Sequence, residues 1–168
     1  MKKVIIINGY AGAGKDAFID FCEECTLATR LWTSTPAKVA LTALGWDGVE
    51  KTASIRYVLQ KLIEIGECMF NSTQNYLDVE LANIDDGLVF IHCREHKKID
   101  AFKGRYNAST LFIDNRKAQD AALAQFQNPS DIANLEEYDY DTIINNNGSL
   151  AELKKCAAKY CKDIEDKK

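Results

Sequence analysis

Gly9-Tyr10-Ala11-Gly12-Ala13-Gly14-Lys15-Asp16 lies between two segments of different character. Before it, Lys3-Val4-Ile5-Ile6-Ile7-Asn8 is an apolar run with the length of a buried strand. After it, in Ala17-Phe18-Ile19-Asp20-Phe21, apolar residues resume at helical spacing. Strand, glycine loop ending in lysine, and helix form the layout of a phosphate-binding loop. The glycines let backbone N–H groups turn inward around a polyphosphate, and the helix aims its positive end at the same anion. The residues expected to contact a nucleotide are therefore Gly9, Ala11, Gly12, Ala13, Gly14, Lys15, Asp16 and Ala17. Lys15 would place its charge against the β- and γ-phosphates of ATP. The residue after the lysine is ordinarily Ser or Thr, whose hydroxyl ligates Mg²⁺. Here it is Asp16, which offers a hard carboxylate oxygen to the same ion and suits the first turn of a helix. The competing reading, a glycine-rich turn that binds nothing, is disfavoured by the strand before and the helix after.

Working outward, the chain reads as alternating helices and short apolar strands. Further strands are predicted over 30–34, 88–93, 109–114 and 140–145. Helices are predicted over 14–26, 36–44, 52–70, 72–84 and 95–103, around 120–126, and from the Ser149-Leu150-Ala151-Glu152 capping box onward. The helix over 52–70 carries Ile55, Val58, Leu59, Leu62, Ile63, Cys68 and Met69 on one face. Residues 162–168 read as a charged, fraying tail. This alternation predicts an α/β fold: a three-layer α/β/α sandwich with a five-stranded parallel sheet, of the P-loop type. One domain over 1–168 is expected, with a helical substrate-side segment at about 36–84 and a short lid at about 115–134.

Composition narrows the class. A chain of 168 residues with 46% hydrophobic content can bury a real core. A net charge of −4, without a basic block, argues against nucleic acid as a partner. No apolar run approaches the roughly 20 residues of a membrane span, and no leader precedes the first strand, so a cytoplasmic location without membrane association is expected. Cys22, Cys25, Cys68, Cys93, Cys156 and Cys161 lack zinc-site spacing. They read as reduced thiols used as small apolar residues.

Several segments resemble one group of enzymes. Gly12-Ala13-Gly14-Lys15-Asp16 looks like the variant loop, with aspartate after lysine, of phage-type deoxynucleoside monophosphate kinases. Animal phosphomevalonate kinases are similar at this point, and adenylate kinase-like enzymes more distantly. Gly45-Trp46-Asp47-Gly48, with a following helix that contains Arg56 and Leu59-Gln60-Lys61-Leu62, resembles the substrate-side segment of the deoxynucleotide kinases. The stretch from Tyr138 through Asn145 to Leu153 resembles their closing strand, turn and helix. Together these pieces run across nearly the whole chain.

The resemblance implies transfer of the γ-phosphoryl of ATP to a (deoxy)nucleoside monophosphate, with Mg²⁺. Such a site mostly positions reactants and neutralises charge. Lys15, Arg94 and Arg116 are the candidate catalytic residues. Arg94 follows the apolar strand 88–93, at the edge where open α/β sheets bind ligands, and its fork suits the acceptor phosphate. Arg116 follows the fourth strand, where such kinases place a lid. Arg30 and Arg105 read as surface residues. Thr33, Ser34, Arg56 and Arg94 are candidate acceptor contacts, and Trp32, Trp46 and Tyr57 are candidates for stacking on a base.

Kinases of this group often carry aspartate near His92. Here the strand ends in His92-Cys93-Arg94-Glu95, so Asp16 and Glu95 are the carboxylates left for the metal. His92 itself, alternating with apolar residues, reads as a packed or hydrogen-bonded histidine and not as a base. The missing strand-end aspartate and the thinly charged lid leave open a nucleotide-binding protein without transfer. A kinase for a non-nucleotide phosphorylated acceptor is open too, as is a homodimer.

Overall fold

The computed structural model describes residues 1–50, 52–125 and 137–166. Its sheet has five strands: β1 Lys3–Asn8, β2 Ala28–Trp32, β3 Leu88–His92, β4 Ser109–Asp114 and β5 Thr142–Asn145. They lie in the order β2-β3-β1-β4-β5. The β1–β3, β1–β4 and β4–β5 pairings are parallel. The helices are α1 Lys15–Glu23, α2 Thr35–Ala43, α3 Ala53–Phe70, α4 Ser72–Ala82, α5 His96–Tyr106, α6 Arg116–Gln125 and α7 Leu150–Glu165. No helix among the described residues is long and apolar enough to cross a membrane.

Two compact units divide the chain: Met1–Arg30 with Asp86–Lys168, and Leu31–Asp85. In the first, both faces of β1 are buried, which is why its sequence is a continuous apolar run and not an alternation. Ile5, Ile7, Phe90, Leu111 and Ile113 pack with Phe18 and Ile19 of α1 and with Leu153, Ala157 and Tyr160 of α7. Phe18 is the hinge of this packing, meeting Phe90 and Tyr160 edge-on at 6.4 and 5.6 Å. On α5, Ile99 and Phe102 are buried, and that helix packs against β1 and β4.

The second unit holds α2, α3 and α4; α2 and α3 meet at Ala37, Leu41 and Leu59, with Trp46, Ile55, Leu62 and Ile63 partly buried. The inward face of α3 is narrower than its apolar pattern suggests, since Val58, Cys68 and Met69 are exposed. The chain reverses directly after α3: Asn71 adopts φ 49, ψ 43 between α3 and α4. The Glu67 carboxylate then accepts from the Thr73 N–H at 2.9 Å and the Ser72 hydroxyl at 3.2 Å, closing the joint.

Several boundaries differ from the sequence expectation for local reasons. The second strand starts at Ala28 and not at residue 30, because its ladder is already established where the Leu88 N–H donates to Leu27 O at 2.9 Å. It stops at Trp32 because Ser34 turns to φ −86, ψ −2 at the N-terminus of α2. The helix expected around 120–126 begins at Arg116, since Asn115 Oδ1 accepts from the Ala118 N–H at 3.0 Å and caps it four residues earlier. Of the expected lid, residues 115–125 are thus Asn115 and α6, and 126–134 lie outside the described residues. The last helix keeps its capping box, with Ser149 N to Glu152 Oε2 at 2.6 Å and Glu152 N to Ser149 Oγ at 3.3 Å. It runs through Glu165 where a frayed tail was expected, because Ile164 packs on the core and its carbonyl accepts from Lys3 Nζ.

Candidate functional site

The loop between β1 and α1 has the geometry of an anion cradle. Gly9 has φ +148, and a Cβ there would fall 2.7 Å from Ile113 O; Gly14 has φ +94. Both positions therefore require glycine. Gly14 is the N-cap of α1 and supplies no side-chain cap to the first N–H groups of that helix, the groups with which helix N-termini bind anions. Lys15 Nζ folds back over its own loop and donates to Gly9 O at 2.7 Å and Tyr10 O at 2.8 Å. An arriving polyphosphate would offer the ammonium stronger, charged acceptors.

Three residues that the sequence reading passed over hold this loop. Asn8 is fully buried at the end of β1. Its Oδ1 accepts from the Gly9 N–H at 2.7 Å, and its Nδ2 donates to the Tyr140 hydroxyl at 2.7 Å and to Arg94 O at 3.4 Å. One amide thus ties the loop, the chain after β3 and the approach to β5 together. Burial pushes the Tyr140 phenol up to about 12, so it keeps its proton at neutral pH. From the other side, Asn146 Nδ2 donates to Ala13 O at 2.9 Å. The signal for Asn8 was a polar residue ending an apolar strand; for Tyr140 and Asn146 there was none beyond their place near β5.

At the end of β3, His92 is 11% exposed, with its Nε2 3.7 Å from Asp16 Oδ1. Burial lowers the imidazole to about 4; Asp16 opposes the shift, and Lys15, Arg30 and Arg94 add to it. The ring is neutral at neutral pH, so its approach to Asp16 is a polar contact and not an ion pair. Of the predicted site residues, Asp16 thus meets His92, and Arg94 follows that histidine two residues along the chain.

The remaining candidates are placed as follows. Glu95 precedes α5 and pairs with Lys98 at 3.0 Å. Arg116 is exposed at the start of α6, and its backbone N–H donates to Asn147 Oδ1 at 2.7 Å. Arg30 is half-buried between Asp20 and Glu23 and not a loose surface residue. Arg105 lies 5.9 Å from the Tyr106 ring. In the second unit, Thr33 O accepts from the Thr73 hydroxyl at 3.2 Å, Ser34 precedes α2, and Arg56 is exposed in the first turn of α3. Trp46 Nε1 donates to Glu50 O at 2.9 Å. The rings of Trp32 and Tyr57 are exposed and carry Lys38 and Lys61 at 5.6 and 5.8 Å.

The donor chemistry matches a divalent cation only in part. Asp16 is an exposed carboxylate beside the phosphate cradle and suits a hard ion. Its neighbour at the strand end is an imidazole nitrogen, which does not complete an all-oxygen Mg²⁺ shell.

No family model and no curated protein matches the chain. Solved structures do. A Thermus thermophilus protein, TT1252, matches at TM-score 0.59 and 16% identity, over 96% of this chain and 97% of that one. Shikimate kinase from Bacteroides thetaiotaomicron matches at TM-score 0.52 and 14% identity, over 97% and 98%. A sugar kinase from Janibacter sp. HTCC2649 matches at TM-score 0.51 and 13% identity, over 95% and 94%. The chain therefore has the fold of the P-loop kinases, with the five-stranded sheet and flanking helices read from its sequence.

Proposed function

We propose that this protein is an ATP-dependent phosphotransferase whose acceptor is a nucleoside or deoxynucleoside monophosphate. The observation that carries the reading is the convergence around the β1–α1 loop. Lys15 lies across a glycine cradle at the N-terminus of α1, with Asp16 against His92 at the end of β3 and Arg94 two residues further along the chain. The cradle would hold the β- and γ-phosphates through backbone N–H groups, and Lys15 would follow the charge as it develops on the transferring group. Arg94, just past β3, would present a bidentate fork to an acceptor phosphate. That acceptor is already anionic, so the site needs no strong base, in keeping with a His92 that is neutral and buried. A divalent cation bound with the nucleotide would neutralise the phosphates, and Asp16 would help to hold it. The nucleotide acceptor itself rests on the sequence resemblance at Gly12–Asp16, 45–62 and 138–153.

A second reading keeps the chemistry and changes the acceptor to a small non-nucleotide metabolite. It is favoured by the names of two structural neighbours, a sugar kinase and a shikimate kinase. One assay separates the two: ADP release from ATP, with Mg²⁺ and with Mn²⁺, across all ribo- and deoxyribonucleoside monophosphates and a set of sugars and hydroxy acids, with Lys15→Ala as the blank. Turnover confined to nucleoside monophosphates supports the first reading. Turnover confined to the metabolites overturns it in favour of the second. ATP binding without turnover on any acceptor overturns both and leaves a nucleotide-binding protein.

A further inference from the structure

In a P-loop site the cation is ordinarily held by a hydroxyl just after the lysine and by an aspartate on a neighbouring core strand. In this chain the residue after Lys15 is Asp16, and the residue ending β3 is His92. The parallel register of β1 and β3 sets Ile7 opposite His92, two residues before the cradle opens at Gly9. That register brings the two positions together, with His92 Nε2 3.7 Å from Asp16 Oδ1. Two donors that each sit about 2.1 Å from one ion can be at most about 4.2 Å apart, so both can reach a shared cation. The carboxylate has in effect moved from the strand to the first turn of α1, and an imidazole stands where the strand carboxylate would be.

This exchange alters the donor set. Mg²⁺ holds to an octahedron of oxygens and gives up water reluctantly. Imidazole suits first-row transition ions, whose affinity for a nitrogen-containing site rises from Mn²⁺ through Fe²⁺ to Co²⁺. Lys15 precedes Asp16 in the chain, and its charge opposes a bare dication that the Asp16 carboxylate attracts. The negative charge of a triphosphate tips that balance, and the ion enters with the nucleotide.

We propose that His92 is a specificity residue for the metal: with Asp16 and the phosphates of ATP, it makes this a site for Mn²⁺ or Co²⁺ in preference to Mg²⁺. The inference rests on the nucleotide-binding half of the function proposed above. It reaches beyond that reading in assigning a nitrogen ligand and a different ion.

Pulsed electron paramagnetic resonance of the full chain with Mn²⁺ and ATP tests it directly, using protein labelled with ¹⁵N-histidine so that adenine nitrogens do not contribute. The expected result is a ¹⁵N coupling in the wild type that disappears in His92→Asn while Mn·ATP stays bound. In competition, Mg²⁺ should displace Mn²⁺ from the wild type only at roughly tenfold higher concentration than from the double exchange Asp16→Ser/His92→Asp, which restores the usual oxygen donors. Bound Mn·ATP without ¹⁵N coupling, or a coupling retained in His92→Asn, overturns the proposal. Should the variants fail to fold, absence of the coupling in the wild type still overturns it. A ¹⁵N coupling without phosphoryl transfer upholds the metal assignment and overturns the phosphotransferase. Transfer without coupling does the reverse.

Discussion

Asn146 Nδ2 stands 2.9 Å from the carbonyl oxygen of Ala13, so the turn after β5 grips the phosphate cradle from behind. The same nitrogen occupies the space beside Gly14, where a Cβ would fall only 2.4 Å away. The bond and the steric limit have one origin. The amide can reach Ala13 only because the residue after it has no side chain.

Gly14→Ala should therefore act twice, through the clash with Asn146 and through about 1–2 kcal/mol for a side chain held at positive φ. Asn146→Gly alone should cost about 1 kcal/mol for the lost hydrogen bond. Combined, the two should be less destabilising than their sum by about 1 kcal/mol, since the second removes the clash of the first. Urea denaturation of the four proteins gives the coupling; strict additivity would mean that the residues do not meet.

Lys15→Ala and Arg94→Ala should separate ATP from acceptor. Lys15 Nζ donates to two loop carbonyls, Gly9 O and Tyr10 O, so its loss should leave the fold near wild-type stability and lower kcat/KM by about a hundredfold or more. Arg94→Ala should raise the acceptor KM or lower kcat with ATP affinity nearly unchanged. Steady-state kinetics with both substrates varied, beside calorimetric ATP binding, decide this. A fall in melting temperature alone would make Arg94 structural.

Asp141 ties β4 to β5. Its carboxylate accepts from Lys103 Nζ at 2.8 Å and from the N–H and hydroxyl of Thr110 at 2.7 and 2.9 Å. Partial burial works to raise its pKa, but these donors prevail and hold it below the ordinary carboxylate value of 3.8. Its contribution is then fully present above pH 3.8 and is lost as pH falls through the lower folded value. Asp141→Asn should cost about 1 kcal/mol at neutral pH, a figure held down by the partial exposure of the pair. The deficit should shrink in acid, where the wild type loses the same charge. Denaturation curves at pH 7 and pH 3 show whether the gap closes.

Thiol reactivity should follow burial. Cys25 and Cys68 are exposed, while Cys22, Cys93 and Cys161 are buried. Burial pushes the Cys93 thiol up to about 12, and contact with Cys161 together with burial pushes Cys22 upward. An aromatic disulfide reagent at pH 8 should label Cys25 and Cys68 quickly and Cys156 more slowly. The three buried thiols should react only after unfolding. Fast labelling of Cys22 or Cys93, read by mass spectrometry, would contradict the packing of α1 and β3.

Much of this was legible because it is local. Val4–Ile7 and Leu88–Ile91 are apolar without alternation, which only a strand covered on both faces requires. Ser149 and Glu152 carry both halves of a capping box within four residues. The start of α6 was missed because Asn115 caps with a single side-chain oxygen and the following turn is polar, so periodicity offered no mark. The length of α7 was missed because Ile164 is a lone apolar residue among charges, and its packing onto the core is a tertiary event.

By itself the sequence determined the α/β alternation, the glycine cradle with Lys15 at its end, and the substitution of Asp16 for a hydroxyl, since each follows from neighbouring residues and backbone sterics. Only the tertiary structure decided the strand order β2-β3-β1-β4-β5, the buried amide of Asn8 that joins three segments, and the meeting of Asp16 with His92. These depend on which strands pair and in what register. That choice is made by the burial of whole faces of the sheet, and no short window of sequence contains it.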